Sequence, residues 1–216
     1  MIRIRDWFAG DRITLYCAET QDDARWIYRA SLRRTVWALD TQSTGLNCYK
    51  PGWKLRTFQF GDATRAYVLP AQFKRTIRRV LTRQGVQWIG HNGPHDIPCL
   101  DVHCGEMGVV CDGETYIASH HRDSRNRAEG GIGHELKELG KRLDPNAGRW
   151  EDELKRVFKQ IEIPVEGAVY KSGPRKGQQK VRKARLDEGW ALIDPWHPAY
   201  IAYAAVDPII TFRVWQ

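Results

Sequence analysis

The sequence predicts an α/β domain with a mixed central β-sheet flanked by helices. Three observations carry the prediction. Short apolar runs rich in β-branched and aromatic residues alternate with longer stretches whose apolar residues recur at helical spacing. Turn signals such as Gly61-Asp62 and Gly93-Pro94 separate these runs. The hydrophobic share, 42 % of 216 residues, suffices for a real core at this length.

Taken in order, Ile2, Ile4 and Trp7 mark a short opening strand, and Ile13 to Ala18 marks a second. Thr20 or Asp22 caps a helix running through Ala24 to Leu32. Thr35 to Leu39 is a compact apolar run, read as a buried strand ending in Asp40. Leu55 to Phe60 and Ala66 to Leu69 flank Gly61-Asp62 as a hairpin, and these three runs form the middle of the sheet. Phe73 to Arg83 reads as an amphipathic helix with a basic face. Val86 to Gly90 is another buried strand, and Gly93-Pro94 turns the chain into a helix from about His95. Val109-Val110-Cys111 reads as a short strand leading to a helix from about Glu114. Glu135 to Leu143, Trp150 to Ile161 and His197 to Gln216 read as helices. Strands alternating with helices imply a sheet covered by helices.

Residues Tyr170 to Arg185 stand apart, being dense in Lys and Arg and almost free of apolar side chains. They are expected to form a mobile loop or hairpin arm, read as a nucleic-acid-contacting finger in preference to a solvated insertion. The expected organisation is one domain over 1–216 with a basic insertion at about 170–185. No internal repeat is visible.

Lys plus Arg outnumber Asp plus Glu by 34 to 26, a net charge of +8 that suits a polyanionic partner. No apolar run approaches the ~20 residues needed to cross a bilayer, and Met1 to Arg5 lack the apolar region of a secretory signal. No membrane association and a cytoplasmic location are expected. The five cysteines are odd in number and irregularly spaced, a poor disulfide framework. Cys99, Cys104 and Cys111 lie near His91, His95 and His103, but no tight Cys pair suggests structural zinc. Reduced, partly buried thiols are expected.

Asp40 falls at a strand end with Gln42 two residues on, and i and i+2 of a strand share a face. Asn92 and Asp96 are four apart at a strand-to-helix turn. Tyr203 and Asp207 are four apart on the last helix and share a face. Sheets of this class gather ligands at strand ends. Singly, each piece is ordinary: an Asp at a strand end is usually a turn former.

As an ordered set, Leu39-Asp40-Thr41-Gln42-Ser43-Thr44-Gly45-Leu46, Gly90-His91-Asn92-Gly93-Pro94-His95-Asp96 and Tyr203-Ala204-Ala205-Val206-Asp207 resemble the three motifs of the DEDD (DnaQ-like) 3′→5′ exonuclease superfamily, tyrosine subgroup. More narrowly, they resemble the proofreading domain of a family A (polymerase I-like) DNA polymerase, bacteriophage ones included. The resemblance covers about Val36 to Gln216, and Asp112-Gly-Glu-Thr falls where such domains carry an Asp-Thr. It implies a ribonuclease H-like fold and two Mg²⁺ or Mn²⁺ ions held by Asp40, Gln42, Asp96 and Asp207. Asp40 would bridge the ions, Asp207 and residue 42 would complete one site, and Asp96 would anchor the other. Tyr203 would orient the attacking water. The substrate would be the single-stranded 3′ end of DNA, contacted by Thr41, Thr44, Leu46 and Asn92, with Leu46 as a wedge. A polymerase domain would follow in the native gene, with a stand-alone exonuclease as the alternative, and the cell would be a bacterial host if the gene is a phage's.

Three departures stand out. Gln42 replaces the motif's glutamate with a neutral near-isostere, which implies weakened or abolished activity; an engineered replacement is preferred to a natural variant. His95 replaces an aromatic. Pro208 follows Asp207 and should kink or restart the helix, since proline inside a helix costs ~3 kcal/mol. Basic Arg75, Arg78 and Arg79 form a looser candidate for strand contact. Two alternatives remain open: a ribonuclease D-like RNA exonuclease, and a non-catalytic nucleic-acid-binding module on a nuclease fold.

Overall fold

Alternation along the strands decides the layering of this protein, because successive side chains of a strand point to opposite faces. In β3 (Val36–Ser43) Trp37 and Leu39 face one side and Ala38 the other. In β5 (Arg65–Pro70) Tyr67 and Leu69 face that first side, while Ala66 and Val68 face the second. Two buried cores result, one on each face of a single sheet. The computed structural model that shows this describes residues 1–125 and 127–216.

Among the described residues, seven strands form the main sheet in the order β1-β2-β5-β4-β3-β6-β7. They are β1 (Ile2–Phe8), β2 (Asp11–Cys17), β4 (Leu55–Gly61), β6 (Gln87–Gly90) and β7 (Gly113–Glu114) together with β3 and β5. β1/β2, β3/β4 and β4/β5 pair antiparallel; β2/β5, β3/β6 and β6/β7 pair parallel. The sheet is therefore mixed, as expected.

One face is covered by α1 (Gln21–Ser31), α2 (Lys74–Leu81) and α3 (Gly93–Cys104), which add Ala24, Ile27, Ile77, Val80 and Leu100 to a core rich in aromatics. Trp37 meets Phe60 edge-on at 5.2 Å, a geometry worth about 0.5–1.5 kcal/mol beyond area burial. Thr20 caps α1 through a complete capping box with Asp23. The other face is covered by α8 (Pro198–Trp215), whose Ile201, Ala205, Val206 and Ile209 pack on Ile13, Leu15, Ala66 and Val68. The helices α4 (Thr115–Arg122), α5 (Leu136–Leu143) and α6 (Arg149–Phe158) lie against α8.

Three expectations need correction. β3 does not end at Asp40 but runs on to Ser43, so Asp40 lies inside a paired strand opposite Gln59. Val109–Cys111 is not a strand; pairing begins at Gly113, because Asp112 ties to Trp88 through both its backbone N–H and its side chain (2.7 and 2.8 Å). α8 passes through Pro208 unbroken. Its burial against the sheet on one side and α5 and α6 on the other outweighs the proline's local cost. Between α6 and α8 a basic loop or hairpin arm is expected, and the hairpin form is found, built of β8 (Glu162–Val169) and β9 (Gln179–Lys183) and followed by a helix that was not expected, α7 (Leu186–Leu192). No helix among the described residues is long and apolar enough to cross a membrane.

Candidate active site

Asp40 occupies the α8 side of β3, since its neighbours Leu39 and Thr41 point the other way. Gln42 shares its face and donates from Nε2 to Asp40 Oδ2 at 2.9 Å. Gln59, the cross-strand partner, donates from Nε2 to the same oxygen, while its buried Oε1 has no hydrogen-bond partner.

Asp96 arrives from α3. The turn into that helix passes through Asn92 in the left-handed region (φ +66), where asparagine is among the tolerated residues. Gly93 follows at a close approach: a Cβ there would lie 2.5 Å from Cys111 Sγ. Glu114 accepts from the backbone N–H groups of Asn92 (2.7 Å) and Gly93 (2.6 Å), satisfying donors at the helix start. Asp96, 3 % exposed, accepts from the Thr41 N–H at 3.1 Å and the Thr41 hydroxyl at 2.5 Å. The Thr41 hydroxyl is thus committed to Asp96 and supports it, while Thr41 also lines the cleft described below.

Asp207 lies on α8 one turn after Tyr203, 4 % exposed and hydrogen-bonded to the Lys137 ammonium from α5. That ammonium also stands 4.5 Å from the centre of the Tyr203 ring, within cation–π range. Trp190 of α7 packs on Tyr203 from another side, centroids 5.5 Å apart.

A cleft of about 1130 Å³ opens over this arrangement. Asp40, Gln42, Asp96 and Tyr203 line it, as do Thr44, Leu46 and Asn92. Asp207 does not line the cleft and acts from beneath it. Leu46 is 85 % exposed at the rim, and the Thr44 hydroxyl accepts from Lys54 N–H at 2.9 Å. The basic helix α2 lies elsewhere. Arg78 donates to the Cys104 and Gly105 carbonyls, Arg79 stacks over Tyr28 at 4.2 Å, and neither they nor Arg75 reach the cleft.

The electrostatics tie the three carboxylates together. Burial first, then the neighbouring charges of Asp96 and Asp207, hold the Asp40 carboxyl well above its usual range. Burial raises Asp96 to about 7 against the opposing Thr41 hydrogen bonds, with Glu114 and Asp207 adding to the rise. Burial raises Asp207 as well, opposed chiefly by Lys137. Tyr203 is pushed well above 10 by burial and by Asp207 and Asp40. His91 is lowered to about 4 by burial and by Lys137.

Buried like charges that repel one another are stabilised by a cation, and hard carboxylate and amide oxygens suit Mg²⁺ or Mn²⁺. The orphaned Gln59 Oε1 beside Asp40 adds an unsatisfied acceptor to that donor set. The residues therefore fit a divalent ion by chemistry. Their present arrangement is closed around internal partners. Among the described residues no three His, Cys, Asp or Glu side chains are gathered as they stand to hold a metal. Lys137 sits on Asp207, and two glutamine amides sit on Asp40. Ion entry requires these side chains to turn.

Lys137, Gln59, Glu114 and the α7 wall of Leu186, Asp187 and Trp190 escaped the sequence reading. Gln59 carried a signal: it is an amide between Phe58 and Phe60 in a buried run.

The architecture is a ribonuclease H-like α/β fold, shared with several solved nucleases. These include NrnC of Brucella melitensis (TM-score 0.53, 18 % identity, 93 % of this chain and 77 % of that one) and the EXO domain of Aedes aegypti Nibbler (0.57, 11 %, 92 % and 84 %). A third is Trypanosoma brucei RNase D, solved as a GMP complex (0.59, 13 %, 92 % and 55 %). Among curated proteins, the chain is similar to the DNA polymerase of Mycobacterium phage L5, 30 % identical over 230 residues, covering 99 % of this chain and 34 % of that protein. It is similar also to the DNA polymerase of Mycobacterium phage D29, 27 % identical over 226 residues, covering 99 % and 33 %. The chain spans about a third of the length of these relatives. No family model matches the sequence.

Proposed function

We propose that this chain is a 3′→5′ exonuclease domain of the proofreading kind, releasing nucleoside 5′-monophosphates from single-stranded DNA ends. The observation that carries the reading is the convergence of Asp40 and Asp96, from β3 and α3, on one cleft with Tyr203 in its wall, and with Asp207 of α8 near enough behind it to raise both carboxyls. Similarity to phage DNA polymerases over nearly the whole chain supports DNA as the substrate and a polymerase region in the same protein.

Asp40, Asp96 and Asp207, with the amide oxygen of residue 42, would hold two Mg²⁺ or Mn²⁺ ions. Bound there, the ions supply charge stabilisation to the attacking and leaving oxygens. Tyr203, neutral because its phenol is raised, orients a water through its hydroxyl and is unsuited to act as a base. The water oxygen bonds to the terminal phosphorus as the bond to the preceding 3′ oxygen breaks. The shortened strand keeps that oxygen as its 3′ hydroxyl, and the departing nucleotide keeps the phosphate. Leu46, exposed on the rim, wedges against the terminal base, and Asn92 and Thr44 contact its sugar or phosphate. Gln42 supplies no charge, which weakens this form of the site.

The test is digestion of 5′-labelled single-stranded DNA and its RNA counterpart with Mn²⁺. The reading expects a ladder shortening from the 3′ end, mononucleotide 5′-phosphate as product, and preference for DNA. Equal or faster loss of RNA would favour the ribonuclease D-like reading, and no cleavage of either strand, even by Gln42→Glu, the non-catalytic one.

A further inference from the structure

We infer that the β8–β9 hairpin is a phosphate-binding arm that grips the nucleic-acid strand upstream of the end held in the cleft. The position of the strand rests on the exonuclease reading; the binding itself rests on the arm's own charge and placement.

From Tyr170 to Lys183 the chain carries six Lys or Arg and no Asp or Glu. Without this segment the net charge of +8 would fall to +2. The six cations fall into two groups. At the base, Arg182 pairs with Glu188 at 2.7 Å and Lys183 with Glu162 at 2.9 Å. Toward the tip, Lys171, Arg175, Lys176 and Lys180 are exposed, and among the described residues none has a carboxylate within 4 Å. Arg175 acts on Glu162 only at longer range. Four unpaired like charges on one hairpin repel one another and bury nothing, so they give the fold no stability. A phosphodiester backbone supplies the missing counter-charge.

Placement points the same way. β9 ends at Lys183 and α7 begins at Leu186, whose side chain lines the cleft with Asp187 and Trp190. α7 is a firm mount. Arg56 donates to the Ala191 carbonyl at 3.1 Å and to the Ile193 carbonyl, and Phe158 packs on Gly189. Eight residues of β8 extend roughly 25 Å at strand spacing, the span of roughly seven phosphates of a stacked strand. At the tip, the Arg175 guanidinium lies 6.0 Å from the Tyr170 ring centre, placing an aromatic face among the cations, the pairing that single strands favour. A membrane is the weaker partner: interfacial elements set Trp, Phe or Leu beside their cations, and from Tyr170 to Lys183 there are none.

The test measures binding in a chelator, where no cleavage occurs, by fluorescence anisotropy of 5′-labelled single-stranded DNA across a salt series. One oligonucleotide of about four nucleotides fills the cleft alone, and one of about twenty also reaches the arm. The variant replaces Lys171, Arg175, Lys176 and Lys180 with serine; a second carries Lys176→Glu and Lys180→Glu. On the long strand the serine variant should bind at least about tenfold more weakly at 0.1 M salt. Its slope of log K against log salt should shrink by roughly two to three, as four lost phosphate contacts require. The glutamate variant should also bind more weakly than the native chain, and the short strand should bind all three alike. Unchanged affinity and slope on the long strand overturn the arm, as does an equal loss on both lengths or native binding to phosphatidylserine vesicles in place of DNA. Native binding of the long strand with no nuclease activity in Mn²⁺, either in this chain or after Gln42→Glu, would sink the exonuclease reading while leaving the arm intact.

Discussion

Lys137 hydrogen-bonds to Asp207 across the junction of α5 and α8, so a buried corner of the carboxylate cluster already holds a cation supplied by the chain. Both groups are largely shielded, at 15 % and 6 % side-chain exposure. Removing one member of such a pair leaves an uncompensated buried charge. Lys137→Met keeps most of the stem and deletes the ammonium. It should lower metal-free stability at neutral pH by about 3 kcal/mol, and saturating Mn²⁺ should restore most of the loss. Denaturant melts with chelator and with Mn²⁺ check this. A deficit untouched by Mn²⁺ would mean that the ion does not take over the role of Lys137.

The raised carboxyls make metal-free stability fall as pH rises. Asp96, at about 7 in the folded chain against an ordinary value of 3.8, binds a proton in the native state over a range where the unfolded chain has released it. Stability from this group is complete at low pH and is lost up to and through pH 7. Asp40 and Asp207 shift in the same direction. His91, lowered to about 4 from 6.5, works oppositely, as does His103, which burial also lowers, and their effect fades only above about pH 7.5. Between pH 6.5 and about 8 Asp96 contributes a loss of about 1 kcal/mol, Asp40 and Asp207 add to it, and the histidines offset it in part. Chemical denaturation in EDTA should show the fall, and Asp96→Asn should flatten it. A rise over that window would contradict the assigned burial of charge.

Gln42 donates to Asp40 and adds no charge, and Gln42→Glu reverses both features. The variant should degrade single-stranded DNA in Mg²⁺ on the order of ten- to a hundredfold faster, through one more anionic ligand at a divalent site. In chelator it should be less stable than the native chain, because a fourth carboxylate joins the cluster. Equal rates in a single-turnover assay would remove the charge argument.

Gly189 allows α7 to lie against Phe158, whose ring a Cβ at that position would overlap. Gly189→Ala should cost about 1–3 kcal/mol by overpacking and should shift Leu186 and Trp190 in the cleft wall. Thermal melts read the first effect. Weakened binding of a four-nucleotide strand reads the second; native stability would show that α7 is not tightly seated.

The fold was legible where side-chain period met a clear boundary. Trp37 and Leu39 alternate with Ala38, and Thr20 caps α1 with Asp23 three residues on. Asp40, Asp96, Tyr203 and Asp207 were legible as candidates because their spacings put them on shared faces at strand and helix boundaries. Lys137 was not, because its role depends on how α5 crosses α8, seventy residues away in sequence. The bond from Thr41 to Asp96 was not legible either, because a strand residue facing away from Asp40 meets Asp96 only once α3 is in place. Pro208 was misread because local propensity says nothing of a helix buried on several sides.

Everything above turns on whether Asp40, Asp96 and Asp207 act as one cation-binding cluster. Titration of Mn²⁺ into the native chain, followed by electron paramagnetic resonance, reads this without any substrate. Saturable binding that is abolished or weakened at least about tenfold by Asp40→Asn is the predicted result. No saturable binding, or binding that survives Asp40→Asn unchanged, would contradict it.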